Sequence, residues 1–327
     1  MPDREGHTGG SLVQHGVRWC LFLGLTCFSF SAQNALNGNK VKLKPAQLPE
    51  IIGRASDLSD DYKVTPGIEY IQANNYSARL DVYQKAGPEP KATLVYIHGG
   101  GWGLGPSKEK YSLWFEPFLF LGWDVVNVEY RSSGISLAPA AVEDCLCALR
   151  WTIHNAKQYG FDTNQIVLMG HSAGGHLALM TGMAPESAGL DRECPGPEEL
   201  KTAAIVDWFG ITDVAELLSG PDRRGFAEKW LGGQPNSMEV AKLVSPLTYV
   251  RNGLPPIIIV HGDKDPTVPY SQSFRLDSAL KDAGVPNELV TVPGGGHGFF
   301  GSAETRRAYT NIFAFLRGNG ISPRFLP

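Results

Sequence analysis

Apolar residues in this chain gather in short uninterrupted runs, and between the runs lie longer segments with helical spacing. Two early runs, "GIEYIQ" and "ARLDVYQ", instead alternate apolar and polar positions and predict a pair of antiparallel strands. From residue 92 the pattern changes. "ATLVYI", "GWDVVNVEYR", "QIVLMG", "AAIVDWFG", "PPIIIVHG" and "NELVTVPG" are continuous apolar runs of strand length, as expected where both faces of a strand are buried. Between them, Val142, Leu146, Leu149, Ile153 and Ala156 recur at spacings of four and three, with Pro139 before them and Gly160 after. That segment predicts a helix. Further helices are expected from Ala173 onward, over "SQSFRLDSALKDAG", and over Ala303–Arg317 before Gly318. Strands alternating with helices imply an α/β fold: a mostly parallel sheet with helices on both faces and two antiparallel leading strands. Sites in such sheets lie at the carboxyl ends of the strands. Two irregular insertions, 184–200 and about 211–250, fall between core strands. Each is either a rim of the substrate pocket or a solvated excursion.

The N-terminus follows another pattern. "WCLFLGLTCFSF" (Trp19–Phe30) is a mostly apolar run preceded by Arg18 and followed by small residues. It suits a signal-peptide core and is too short to span a bilayer. Ser29 and Ser31 then flank a cleavage site, with the mature chain beginning near Ala32 or Gln33. A buried helix is the alternative, and "GLT" before Cys27 is a poor match to a lipid-attachment signal. The expected organisation is a signal peptide over 1–32, a polar segment over 33–63, and one catalytic domain over 64–320 carrying the small insertion at about 211–250. Export, to a periplasmic or extracellular location, is the expected fate.

Composition narrows the partners. A net charge of −4 with 19% charged residues points to neither nucleic acid nor an anionic membrane surface. Beyond the expected leader remain Cys145, Cys147 and Cys194, an odd number with no disulfide framework, although one bridge is possible. No Cys/His set has zinc-ligand spacing, so no structural metal is expected.

The chemistry is concentrated in four loops. Gly170-His171-Ser172-Ala173-Gly174 follows a strand and opens a helix, the setting in which a G-x-S-x-G serine becomes a nucleophile. Small residues at 170 and 174 let the chain turn tightly, and the helix that begins there favours developing negative charge. A serine hydroxyl needs a base. His297, in the glycine-rich "VPGGGHGFF" after the last strand, is free to reach across the sheet, whereas His171 and His176 are too near Ser172 in sequence. The base needs an acid to fix its tautomer. Asp263 and Asp265 both follow "IIIVHG"; the spacing Gly262-x-x-Asp265-x-x-Val268 favours Asp265, with Asp263 as a turn residue. "HGGGW" (His98–Trp102) supplies backbone amides for an oxyanion. Gly100 and Gly101 are the expected donors, together with the amide of Ala173. Trp102, Trp208 and Phe209 stand near strand ends, either lining the pocket or packing in the core; His171 is a further local packing or pocket residue.

The stretches "LVYIHGGGWGLG", "VEYRSS", "APAAVEDCLCALRW", "GHSAGGHLAL", "IVDWFGITD", "PPIIIVHGDKDPTVPYSQS" and "GGGHGF" resemble the α/β-hydrolase superfamily. More narrowly they resemble bacterial carboxylesterases of the feruloyl-esterase-like (BD-FAE) group, near the hormone-sensitive-lipase relatives. The resemblance spans roughly residues 65–318. It implies Ser172 as nucleophile, Asp265 as acid, His297 as base and the Gly100, Gly101 and Ala173 amides as oxyanion donors. It further implies cofactor-free ester hydrolysis through an acyl-serine, on small or polysaccharide-linked esters such as acetyl, feruloyl or short acyl. Only about 30 mostly polar residues separate the expected signal peptide from the first strand, less than the helical cap of the lipase relatives, which implies a shallower pocket. Asp213 in "GITD" is expected to be structural. A serine exopeptidase of prolyl-oligopeptidase type and a non-catalytic binding protein on the same fold are the alternatives. Neither acyl specificity nor oligomeric state follows from the sequence.

Overall fold

The structure is a computed structural model and describes residues 61–105, 108–298 and 300–322. The expected signal peptide and nearly all of the polar segment lie outside these residues. Eight strands form one sheet in the order β1-β2-β4-β3-β5-β6-β7-β8. β1 (Tyr62–Ala73) and β2 (Tyr76–Lys85) form an antiparallel hairpin, and β2 meets β4 antiparallel. The remaining pairs, through β3 (Lys91–Ile97), β4 (Asp124–Val128), β5 (Phe161–His171), β6 (Ala204–Trp208), β7 (Ile257–Gly262) and β8 (Asn287–Val292), are parallel. This is the α/β-hydrolase fold.

The continuous apolar runs are continuous because helices cover both faces. Along β3, Leu94 and Tyr96 enter one core and Val95 and Ile97 the other. The first core packs on α1 (Lys108–Phe120) through Trp114, Phe115 and Phe118, and on α8 (Ser302–Gly318) through Tyr309, Ile312 and Leu316. The second packs on α2 (Ala140–His154), α4 (Ala173–Met183) and α7 (Tyr270–Asp282). The helix expected to reach Gly160 breaks at Asn155; a short turn, α3 (Ala156–Tyr159), follows, and Gly160 closes it at φ 75°.

The two insertions part company. Helix α4 carries the chain from the carboxyl ends of the strands to their amino ends. Residues 184–200 therefore emerge at the edge opposite the site, and their position as a pocket rim is corrected. There Arg150 donates to the carbonyls of Gly196 and Glu198 at 2.9 and 2.8 Å, and Cys147 is bonded to Cys194. The second insertion leaves β6 at its carboxyl end and so stays on the site's side. It forms α5 (Gly225–Leu231) and α6 (Ser237–Leu243), with Trp230 fully buried beneath. Asp213 receives the amide of Glu216 and pairs with Arg275, which fits a structural part.

Candidate active site

Ser172 joins β5 to α4 at φ 55°, ψ −122°, a strained positive-φ conformation costing a non-glycine residue about 1–3 kcal/mol. Its amide donates to the Trp208 carbonyl at 2.8 Å, and its carbonyl accepts from His176 N–H at 3.0 Å. The flanking glycines are required by contact. A Cβ at Gly170 would sit 2.1 Å from the Gly174 carbonyl oxygen; one at Gly174 would sit 2.1 Å from that of Ile97. The elbow thus passes directly against the end of β3, and the serine is held up over the sheet.

The hydroxyl meets its partner across 125 residues. His297 Nε2 is 3.0 Å from Ser172 Oγ, and His297 Nδ1 is 2.7 Å from Asp265 Oδ2. Because a carboxylate only accepts, Nδ1 carries the proton, and Nε2 faces the serine as acceptor. Asp265 Oδ1 accepts the amides of Thr267 and Val268 at 2.7 and 3.0 Å. Burial alone raises the pKa of a carboxyl, but hydrogen bonds from His261 and His297 outweigh it and hold Asp265 well below the usual carboxylate range. Asp263 points elsewhere: its Oδ1 accepts the Gly294 amide at 2.7 Å, lacing the loop after β7 to the loop after β8.

On the other side of Ser172 lies the loop after β3. Among the described residues the amides of Gly100 and Gly101 donate to no protein acceptor. The Ala173 amide, the first of α4, has no acceptor one turn back. Gly100 has φ 126°, a conformation that only glycine adopts readily. Two buried histidines fasten this loop. His171 Nε2 accepts the Gly99 amide at 3.2 Å, so its proton is on Nδ1, 2.9 Å from the Tyr96 hydroxyl. Its ring stacks on Trp114 at 4.4 Å. His176 donates from Nε2 to the Val244 carbonyl at 2.6 Å and accepts the Trp102 indole N–H at 3.2 Å. Burial lowers His171 to about 3, with His98 and His297 adding to it, and burial lowers His176 to about 4. Both stay neutral and keep these bonds through the ordinary pH range.

A cavity of about 360 Å³ opens between these loops. Ser172, His297, Gly100 and Gly101 face it, walled by Trp114, His171 and Phe209 on one side and Phe226 and Thr267 on the other. His171 and Phe209 thus line the pocket. Trp102 and Trp208 do not, and as pocket residues they are corrected. Trp102 is fully buried and stacks on Trp230 at 4.1 Å; Trp208 packs on Trp114 and Tyr309. A strand-end position carried no information on which way either ring turns. Trp114 and Phe226 escaped the sequence reading because they sit on helices it did not detect. Among the described residues no cluster of His, Cys, Asp and Glu has the makings of a metal site, and no helix is long and apolar enough to cross a membrane.

The BD-FAE family model matches residues 80–280. Esterase LipQ of Mycobacterium tuberculosis is 30% identical over 237 residues, covering 69% of this chain and 55% of that protein. The probable carboxylic ester hydrolase LipM of the same organism is 28% identical over 78% of this chain and 60% of its own length. The chain thus spans little more than half of these relatives. Among solved structures, a truncated carbohydrate esterase from gut microbiota superposes with TM-score 0.67 and 27% identity, over 80% of this chain and 98% of that one. Esterase Est2 of Thermogutta terrifontis superposes with TM-score 0.65 and 29% identity, over 81% and 95%.

Proposed function

The chain belongs to the BD-FAE family of α/β-hydrolase serine esterases, and from that premise we propose that it hydrolyses carboxylic esters through an acyl-serine intermediate. The observation carrying the reading is the unbroken contact Ser172–His297–Asp265, at 3.0 and 2.7 Å. As Ser172 Oγ attacks the ester carbonyl, His297 Nε2 takes its proton, and ionised Asp265 stabilises the resulting imidazolium. The tetrahedral oxyanion is received by the amides of Gly100, Gly101 and Ala173, each such donor contributing about 3–4 kcal/mol. His297 then returns the proton to the departing alkoxide. In the second half it deprotonates the water that releases the acid.

The substrate is a small acyl ester, either free or linked to a carbohydrate. A cavity of about 360 Å³ with mostly apolar walls supports a short acyl group, and the carbohydrate-esterase neighbour supports a sugar-linked alcohol. No acidic side chain lines the cavity among the described residues, so the free ammonium of a peptide cut from its N-terminus finds no partner there. Export agrees with the apolar run Trp19–Phe30 and with the Cys147–Cys194 disulfide, a bond that persists in oxidising compartments. A panel of p-nitrophenyl acetate, butyrate and octanoate with acetylated and feruloylated xylo-oligosaccharides tests the reading. Turnover concentrated on acetyl and butyryl esters is expected. Turnover greatest on octanoate contradicts the short-acyl assignment, and turnover of none contradicts the function.

A further inference from the structure

A second histidine reaches the same carboxylate. His261, at the end of β7 with no exposed surface, places Nε2 3.2 Å from Asp265 Oδ2 and 3.1 Å from the Val268 carbonyl. Both of those atoms only accept, so Nε2 carries the proton. Its Nδ1 lies 2.7 Å from Ser273 Oγ on α7, a hydroxyl able to complete the bond. The outcome is a continuous line of polar groups in contact: Ser273 to His261, His261 to Asp265, and Asp265 back to His297 and Ser172. It gives Asp265 four donors, one imidazole on each side of Oδ2 and two amides on Oδ1.

We propose that His261 is a positioning residue of this site, which through its Nε2–H holds the Asp265 carboxylate toward His297 and shares its charge. The inference rests on the ester-hydrolase reading above. A carboxylate held only by His297 and two amides is free to rotate about its last bond and concentrates its charge on the His297 proton. With His261 donating to the same oxygen, the carboxylate plane is fixed and part of that charge is spent on the second imidazole. Loss of the His261 donor leaves Asp265 more basic and the His297 imidazolium better stabilised. More acid-side activity is then lost at a given pH.

Other groups facing this line are accounted for. The Tyr270 ring packs edge-on against His261 at 5.5 Å, and its hydroxyl is engaged with Thr291 Oγ1. Phe209 packs on the His297 ring, and the neutral, buried His171 stands beyond it. Arg224 donates to the Thr267 carbonyl at 2.9 Å from the insertion side, and Asp263 and Lys264 precede Asp265 in its own loop. Among the described residues, only His261 and His297 bond the Asp265 carboxylate through a titratable side chain.

The test compares His261→Met and His261→Gln in the full chain. The two side chains have nearly the same length, and only glutamine keeps an N–H donor toward Asp265. For H261M, kcat is expected to fall on the order of tenfold with KM within twofold, and the acid limb of the kcat/KM profile to move up by about half to one pH unit. H261Q is expected to return that limb to the wild-type position. A folded H261M with an unmoved acid limb overturns the proposal while leaving the ester-hydrolase reading intact; a wild type inert toward every ester overturns both. Should H261M fail to fold, histidine ¹⁵N spectra of the wild type decide. A His261 carrying a proton on Nε2 is expected, and one protonated on Nδ1 alone, with no proton to give Asp265, overturns the proposal.

Discussion

Asp263 and Asp265 lie two residues apart in one loop, and their surroundings give them opposite parts. Asp265 is buried, takes four donors and touches His297; Asp263 accepts one amide of a neighbouring loop. Asp265→Asn is therefore expected to lower kcat by about 10⁴-fold, since an amide invites the wrong His297 tautomer, while the chain still folds, at some cost in stability. Asp263→Asn should retain most activity; equal losses from the two variants would remove the distinction. Asp207 makes a separate prediction. Buried at the end of β6, its Oδ1 accepts the Gly210 amide, and burial raises its pKa to about 7. Between its unfolded pKa near 4 and about 7 the folded chain holds a proton that the unfolded chain has lost, so this group makes stability fall as pH rises. Subtracting the Asp207→Asn stability curve from that of the wild type should expose that slope. It is read by denaturant titration from pH 4 to 8, and parallel curves would contradict it. The histidines at 98, 171 and 176, each lowered by burial, act oppositely in part of that window, which is why the difference curve is the quantity to measure.

Elements differ in how plainly their sequence announces them. β3, β6 and β7 are buried on both sides, and an apolar run of strand length has few other fates. The pentapeptide at Ser172 was legible because its glycines answer to a backbone crossing: Gly174→Ala places a methyl carbon 2.1 Å from the Ile97 carbonyl. That variant is expected to lose more than about 3 kcal/mol of stability or not to fold, and a near-native melting curve would refute the packing described. Helix α1 was not legible. Its sequence, "KEKYSLWFEPFLF", carries an internal Pro117 and a dense aromatic stretch in place of an apolar stripe. Insertion 184–200 was visible as an insertion but not as to its edge of the sheet, because that depends on where α4 ends in space. Cys194→Ser tests its placement. Opening a bridge across 47 residues should cost about 2–4 kcal/mol, yet leave kcat/KM within twofold, since the site is at the opposite edge. A large loss of activity at temperatures where the variant is folded would show otherwise.

At the scale of the molecule, the site exists because a parallel sheet gathers the ends of β3, β5, β7 and β8 at one edge. Residues as distant as Gly100 and His297 thereby face one cavity of about 360 Å³. The order nucleophile, acid, base was readable from loops that each follow a strand, and the geometry brings those three side chains into contact. The supports were not readable. His171 and His176 bond the loop after β3 and His261 bonds Asp265, with partners as far as 75 positions away, and no local pattern marks such bonds. The walls are divided likewise, with Phe226 arriving from the insertion. The central claim, that Ser172 is the nucleophile, is tested most directly by covalent labelling with a fluorophosphonate and mapping of the labelled peptide. The account predicts one equivalent of label on Ser172, lost in Ser172→Ala and slowed sharply in Asp265→Asn. An unlabelled wild type, or a label carried by another residue, would contradict it.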